Sequence, residues 1–321
     1  MACACTARKR RYNLRMVEHS DLRSASRNGL IILLLLYALA RVLQIFPTQI
    51  PALLIVILHV LPPAVFAFIH GRRVYGTRGI VVFMVLCLAI GSALESLSLR
   101  TGFPFGHYYF TGVMGPKLFQ LPILLSLAYV GVGYLAWVVA SSIVGAPQNS
   151  RAAVFVVPCV AAAVMCSWDL AMDPVWANID RAWVWLDGGG YFGVPFSNFF
   201  GWLLTTWIFY QAFALWLRHQ PLAPSDSAWS RLAVLMYGIV ALGNLLVAVP
   251  SAQPPHSPKT IIDAGGHHWA TSDIVAASFL ISVFIMAPFA LIGWVRARSS
   301  LSEFRARQPR SLRSSDRVRV E

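Results

Sequence analysis

Charge is what this sequence has least of. Asp, Glu, Lys and Arg make up 12% of its 321 residues, and hydrophobic residues make up 57%, about half the charge density with which a soluble domain covers its surface. Acidic residues are scarcest, 13 against 26 Lys and Arg. The 5 cysteines form no disulfide framework: Cys87, Cys159 and Cys166 sit in apolar runs as small apolar side chains, and Cys3 and Cys5 lie in a basic segment. No further Cys or His follows Cys3 and Cys5 at ligand spacing, which leaves a zinc module without support. Internal repeats, a glycine-rich phosphate loop and a Ser/His/Asp spacing are also missing, so the chemistry has to be sought in the apolar segments.

What is present is a series of long apolar runs, several near or above the ~20 residues that a helix needs to cross a hydrocarbon core about 30 Å thick. They predict spans at 29–46, 51–70, 79–98, 119–144, 152–175, 198–217, 229–250 and 272–295. The expected fold is all-α, a polytopic transmembrane helical bundle of about eight spans. Gly and Pro inside several spans are compatible with it, because neighbouring helices satisfy the freed backbone groups. The first run follows a basic segment and is bounded by FPTQIP at 46–51, with no small-residue cleavage pattern, so it reads as a retained anchor. Residues 29–295 then form a single domain between a basic N-terminal segment, 1–28, and a basic tail, 296–321.

Basic side chains set the orientation, since Lys and Arg accumulate on the cytoplasmic side. With the N-terminus inside, 21 of the 26 fall on cytoplasmic segments, among them Arg72, Arg73, Arg78, Arg151, Arg218, Arg231 and eight arginines of the tail. Arg100, Lys117, Arg181 and Lys259 fall opposite, and Arg41 lies within the first span. Both termini are therefore expected in the cytoplasm, in a multi-pass protein of the cell membrane. The net charge of +13 is topogenic on this reading and does not point to nucleic acid, although basic tails can touch anionic headgroups.

Ionisable groups inside a bilayer are costly and mark function or a specific pair. Glu95 is near the end of the third span, Asp169 and Asp173 near the end of the fifth, Asn198 at the start of the sixth, Asn244 late in the seventh and Asp273 at the start of the eighth. With Arg41, seven polar residues from six spans are expected at one depth, toward the outward side. Taken singly, Glu95 has a second reading as a snorkelling or helix-pairing carboxylate, Asp273 reads first as a helix N-cap, and Arg41 reads equally as a counter-ion or a catalytic group. Asp169 and Asp173 are four apart, which on a helix puts them on one face about 5–6 Å from each other, although Pro174 biases its predecessor away from the α region. Two carboxylates that close in an apolar site do not both ionise readily, so a proton should be held there.

Two outward loops add to this. Residues 102–110, GFPFGHYYF, and 183–202, WVWLDGGGYFGVPFSNFFGW, combine glycine, proline and many aromatics. Interfacial aromatic belts explain part of the pattern. Glycine-rich bends beside the carboxylates would also let Phe103, Phe105, Tyr108, Trp183, Trp185, Tyr191 and Trp202 fold over a pocket as substrate-binding faces that stabilise a cation. His107, His267 and His268 do not read as metal ligands, since His267 and His268 are adjacent in a polar loop.

The stretch from Glu95 to Trp137, ESLSLRTGFPFGHYYFTGVMGPKLFQLPILLSLAYVGVGYLAW, and that from Asp169 to Trp202, DLAMDPVWANIDRAWVWLDGGGYFGVPFSNFFGW, resemble the membrane-embedded carotenoid biosynthesis family that includes bisanhydrobacterioruberin hydratase and the γ-carotene 1′-hydratases. The family pattern falls on Glu95, Gly102, Pro104, Phe105, Gly106 and Tyr108, then on Asp169, Asp173, Pro174, Trp183, Trp185, Gly190, Gly193, Pro195, Asn198, Gly201 and Trp202. Phe110 stands where a second tyrosine is usual, and Ser and Leu occupy positions between Glu95 and Gly102 where a small residue is usual.

The resemblance implies addition of water across the terminal C1–C2 double bond of an acyclic carotenoid end, giving a tertiary alcohol. Such an alkene is too weak a base for water to protonate, so a neutral carboxylic acid in a water-poor site is the natural donor. The Asp169/Asp173 pair is the expected acid, titrating as one unit, with Glu95 as the base for the attacking water and Asn198 as a hydrogen-bonding positioner. Partners implied are a carotenoid in the bilayer, water as co-substrate and other carotenoid enzymes; no redox cofactor is required. A carotenoid cyclase begins with the same protonation, and a transporter or scaffold would also use buried carboxylates. A prenyltransferase fits less well, because the second acidic motif that holds magnesium and diphosphate is missing.

Overall fold

The computed structural model describes residues 25–221, 227–252 and 258–307. Cys3, Cys5, most of the basic N-terminal segment and the last residues of the tail lie outside them. Among the described residues seven helices are long and apolar enough to cross a membrane: α1 Ala25–Leu43, α2 Ala52–Thr101, α3 Ile123–Val144, α4 Arg151–Asn178, α5 Phe196–Leu217, α6 Ser227–Ala248 and α7 Thr271–Ala297. The protein is therefore a mostly helical membrane protein. Its loops add, among the described residues, three short antiparallel β-pairs to the helical fold that was expected: β1 Tyr108–Phe110 with β4 Trp183–Trp185, β2 Lys117–Leu118 with β3 Leu121–Pro122, and β5 Thr260–Ile262 with β6 His268–Ala270.

The second helix departs from the expected pair of spans separated by a loop at 71–78. It is helical over 50 residues except at Gly76, whose φ of 74° and ψ of 168° interrupt it. A straight helix of that length would run about 75 Å, more than twice the hydrocarbon thickness of about 30 Å. Gly71 instead lies against the side chain of Ile80, and a Cβ there would stand 2.4 Å from Ile80 Cδ1. Residues nine apart meet only because the chain turns at Gly76, a conformation that glycine adopts without steric cost.

Helix α3 is the centre of the bundle, and every residue from Ala128 to Ala140 is buried. Small residues let its neighbours approach: a Cβ on Gly131 would meet the backbone of Ala64 at 2.9 Å. The half of the core nearer Gly76 is held by His70, whose ring nitrogens meet Tyr134 Oη at 2.7 Å and the Trp229 carbonyl at 2.8 Å. Helix α4 starts at Ser150, whose hydroxyl accepts from the Ala153 N–H at 3.0 Å. It continues through both Pro158 and Pro174 to Asn178, so the bias before Pro174 is overridden by packing and the two aspartates share one helix face. The expected span at 119–144 is shorter, because 117–122 form the β2–β3 turn.

Candidate active site

Three helix ends meet on one side of the bundle. Glu95 lies near the C-terminal end of α2, Asp169 and Asp173 near that of α4, and Asn198 at the start of α5. Gly102, with φ 76°, ends α2 and returns its N–H to the Ser98 carbonyl at 2.8 Å. Ser98 Oγ then donates to the Gly106 carbonyl at 3.0 Å and accepts from the Phe105 N–H at 3.2 Å, tying the turn to the helix. Tyr108, Tyr109 and Phe110 next pair with Trp185, Val184 and Trp183. The two aromatic loops are thus one two-stranded ladder. Side chains alternate across a strand, so Tyr108, Phe110, Trp183 and Trp185 turn to one buried face while Tyr109 is exposed.

Hydrogen bonds lock that face to the carboxylates. Asp173 Oδ1 accepts from the indole N–H of Trp183 at 3.0 Å and of Trp185 at 3.2 Å. Asn198 Nδ2 donates to Asp173 Oδ2 at 2.7 Å and to Asp169 Oδ2 at 2.9 Å, bridging the pair. Glu95 accepts from the hydroxyls of Tyr108 and Tyr129, the latter at 2.7 Å. Burial first, and the Glu95 carboxylate second, hold the Tyr108 phenol well above its ordinary range, so it stays a donor. Asp169 Oδ1 is different: it is buried and meets no hydrogen-bond partner.

Apart from Tyr129, which stands behind Glu95, these groups line a pocket with about 280 Å³ of empty space, open to its surroundings and completed by Phe105, Phe110, Leu125 and Trp202. Trp202 stacks on Tyr129, with ring centroids 4.5 Å apart. Nine of the eleven residues singled out from the sequence as catalytic or substrate-binding therefore line one pocket, while two do not. Phe103 is 58% exposed and points away. Tyr191 props its loop on α4, donating to the Leu170 carbonyl at 3.1 Å. Burial, reinforced by Asp169 and Asp173, pushes its hydroxyl up to about 12. Tyr129 was not singled out, because a tyrosine inside an apolar run carries no mark of which way it points.

The single polar depth expected from the sequence resolves into separate places. Arg41 and Asn244 form a second cluster, with a hydrogen bond of 2.5 Å between them. Asp273 is exposed in the first turn of α7; the cap position is Ala270. His107 pairs with Asp187 at 2.7 Å and His267 with Asp263 at 3.1 Å. Among the described residues no three His, Cys, Asp or Glu gather as a metal site.

The glycines of the second loop close it over the pocket. A Cβ on Gly189 would stand 2.2 Å from the backbone carbon and oxygen of Val194, which cannot yield as a side chain tip would. On the outer side Gly193 lies under Asp263 and Phe192 packs on Trp269, 5.4 Å between centroids. Burial opposes the Asp263 charge, but donors from Trp269 and His267 outweigh it and hold the carboxyl below its ordinary value. Gly189→Ala should cost about 1–3 kcal/mol of stability and open the loop, which carries several aromatic residues and no Lys or Arg, to chymotrypsin. Gly112→Ala, which meets nothing within 4 Å, should leave the digestion pattern of purified protein unchanged.

The fold and pocket define a membrane protein whose carboxylates are gathered at helix ends beneath an aromatic cover. The family model of carotenoid biosynthesis proteins matches residues 28–256, and the chain belongs to that family. The match spans the whole pocket and stops before β5, β6 and α7. No curated protein and no solved structure matches the chain.

Proposed function

We propose that the protein is a carotenoid hydratase, adding water to the terminal C1–C2 double bond of an acyclic end group by acid catalysis. The observation that carries this reading is the Asp169 Oδ1 atom, a buried carboxylate oxygen with no donor of its own in a pocket otherwise walled by aromatic faces. Asp173 accepts three N–H donors, an environment for a carboxylate anion. Asp169 Oδ1 is left as the position that carries the shared hydrogen.

The proton passes from Asp169 Oδ1 to C2, the π electrons forming the new C–H bond, and C1 becomes a tertiary cation. Trp185, Tyr108 and Trp202 present π-faces to it, and the Asp169/Asp173 charge stabilises it. Water oxygen bonds to C1, and Glu95 takes the proton released. The net change is one water added, and the proton returns to Asp169 through solvent between turnovers. The end group enters among these carboxylates and aromatic faces, and the remaining polyene lies in the bilayer. Expression in a host making lycopene or γ-carotene should yield a pigment heavier by one water. Unchanged mass with a new ring would assign cyclisation, and unaltered pigment would remove the enzymatic reading.

The turn at Gly76 also supports an eight-span topology in the cell membrane, with α2 crossing twice and both termini cytoplasmic. Reporter fusions at 145–151 and at the C-terminus should then read as cytoplasmic, and fusions near 110 or 187 as opposite. The reverse pattern would overturn the orientation.

A further inference from the structure

Arg41 is an unusual residue for its place. It lies in the first span and is 7% exposed, where an unneutralised guanidinium is costly. Among the described residues its hydrogen-bond partners are neutral, the Asn244 Oδ1 acceptor and the Tyr37 hydroxyl, and no carboxylate stands within ion-pair distance. Its buried Nε has no partner. The position is built: Gly243 leaves the space that the guanidinium fills, since a Cβ there would stand 1.9 Å from Nε. Gln44 and His59 brace it, Gln44 bonding the Gly243 carbonyl at 2.7 Å and His59 meeting Gln44 at 3.1 Å.

Two cavities share Arg41, His59 and Asn244. The first, about 660 Å³, runs among helix ends past Pro47, Ile179 and Ala252. The second, about 500 Å³, is walled by Tyr37, Val132, Trp168, Met172 and Trp183. Helical periodicity separates it from the acid site: Trp168, Met172 and Trp176 make one stripe of α4, and Asp169 and Asp173 make the next. Trp183 belongs to both walls. A hydrocarbon polyene would fit the aromatic wall and leave the guanidinium unanswered. Asp180 lines the first cavity but is exposed and unpaired with Arg41.

We propose that this space binds an anionic lipid, with its oxyanion head on Arg41 and Asn244 and its hydrocarbon chain along Tyr37, Trp168 and Met172. An oxyanion supplies the charge that the protein withholds and accepts the guanidinium's charge-assisted hydrogen bonds. The inference stands apart from the carotenoid reaction, because it uses none of the acid-site carboxylates.

The test uses the full chain purified in a neutral detergent, with binding read by native mass spectrometry. Dioleoyl phosphatidylglycerol should bind about tenfold or more tighter than dioleoyl phosphatidylcholine. Arg41→Gln should abolish that preference, Arg41→Lys should keep part of it, and Asp169→Asn should keep all of it. In the unmutated protein, a diazirine on the acidic lipid's chain should label α1 and the 168–176 stripe, a readout independent of how variants fold. Competition by millimolar inorganic phosphate would show that the oxyanion alone suffices; its absence would assign the site to the lipid. Equal binding of the two lipids, or labelling confined to other helices, would overturn the proposal.

Discussion

The Asp169→Asn variant is expected to insert and fold as its parent does and to form at least about 100-fold less hydrated product. Asparagine keeps the shape and still accepts from Asn198, but an amide is not an acid that can protonate an alkene. Asp173→Asn should fall as far, because its amide would set an N–H among groups where the carboxylate accepts from Trp183, Trp185 and Asn198. Asp273→Asn is the control: this exposed side chain lies outside the pocket and should be near neutral. The measurement is hydroxycarotenoid formed per unit of membrane-inserted protein. Near-parental product from Asp169→Asn would remove the acid assignment. Loss of inserted protein in Asp169→Asn and Asp173→Asn, with Asp273→Asn spared, would make the cluster structural.

Asn198→Leu should damage stability and turnover together. One side-chain nitrogen satisfies both Asp169 Oδ2 and Asp173 Oδ2, and Asn198 is itself buried. Leucine leaves two carboxylate oxygens facing each other without a donor. Stranding buried charged groups in this way costs about 3–5 kcal/mol. Thermal unfolding in detergent should shift down strongly, and product should be lost in whatever protein remains folded. An unchanged unfolding temperature would mean that the carboxylates find other donors, and that Asn198 is not the bridge.

Much of the architecture was legible beforehand because a bilayer imposes a length on each apolar run, and the runs ending near Thr101, Asn178 and Ala297 show it directly. Between 51–70 and 79–98 the apolar runs predict a loop, and the structure has instead one helix interrupted at a single glycine of positive φ, Gly76. Carboxylates were legible because an acidic residue in an apolar run has few bland explanations. Their grouping was less so. Depth along a helix can be counted from sequence, but the angle around it relative to neighbours cannot, and that angle put Arg41 and Asn244 in a second cluster and left Asp273 outside.

The aromatic loops show the same division. Their composition announced a cover, yet only the ladder between 108–110 and 183–185 fixes which rings turn inward. By itself the sequence determined that this is a membrane protein with Glu95, Asp169 and Asp173 as scarce acids in its apolar runs, because hydrophobic length and charge scarcity are properties of a linear chain; its likeness to the carotenoid biosynthesis family lies in the two motif stretches from Glu95 and from Asp169. Only the tertiary structure decided that Trp183, Trp185 and Asn198 spend their N–H donors on Asp173, that Tyr129 reaches Glu95, and that Asp169 Oδ1 is left bare. Hydrogen bonds are directional and short, and partners that lie 29 or 34 residues apart in the chain are chosen by how helices pack.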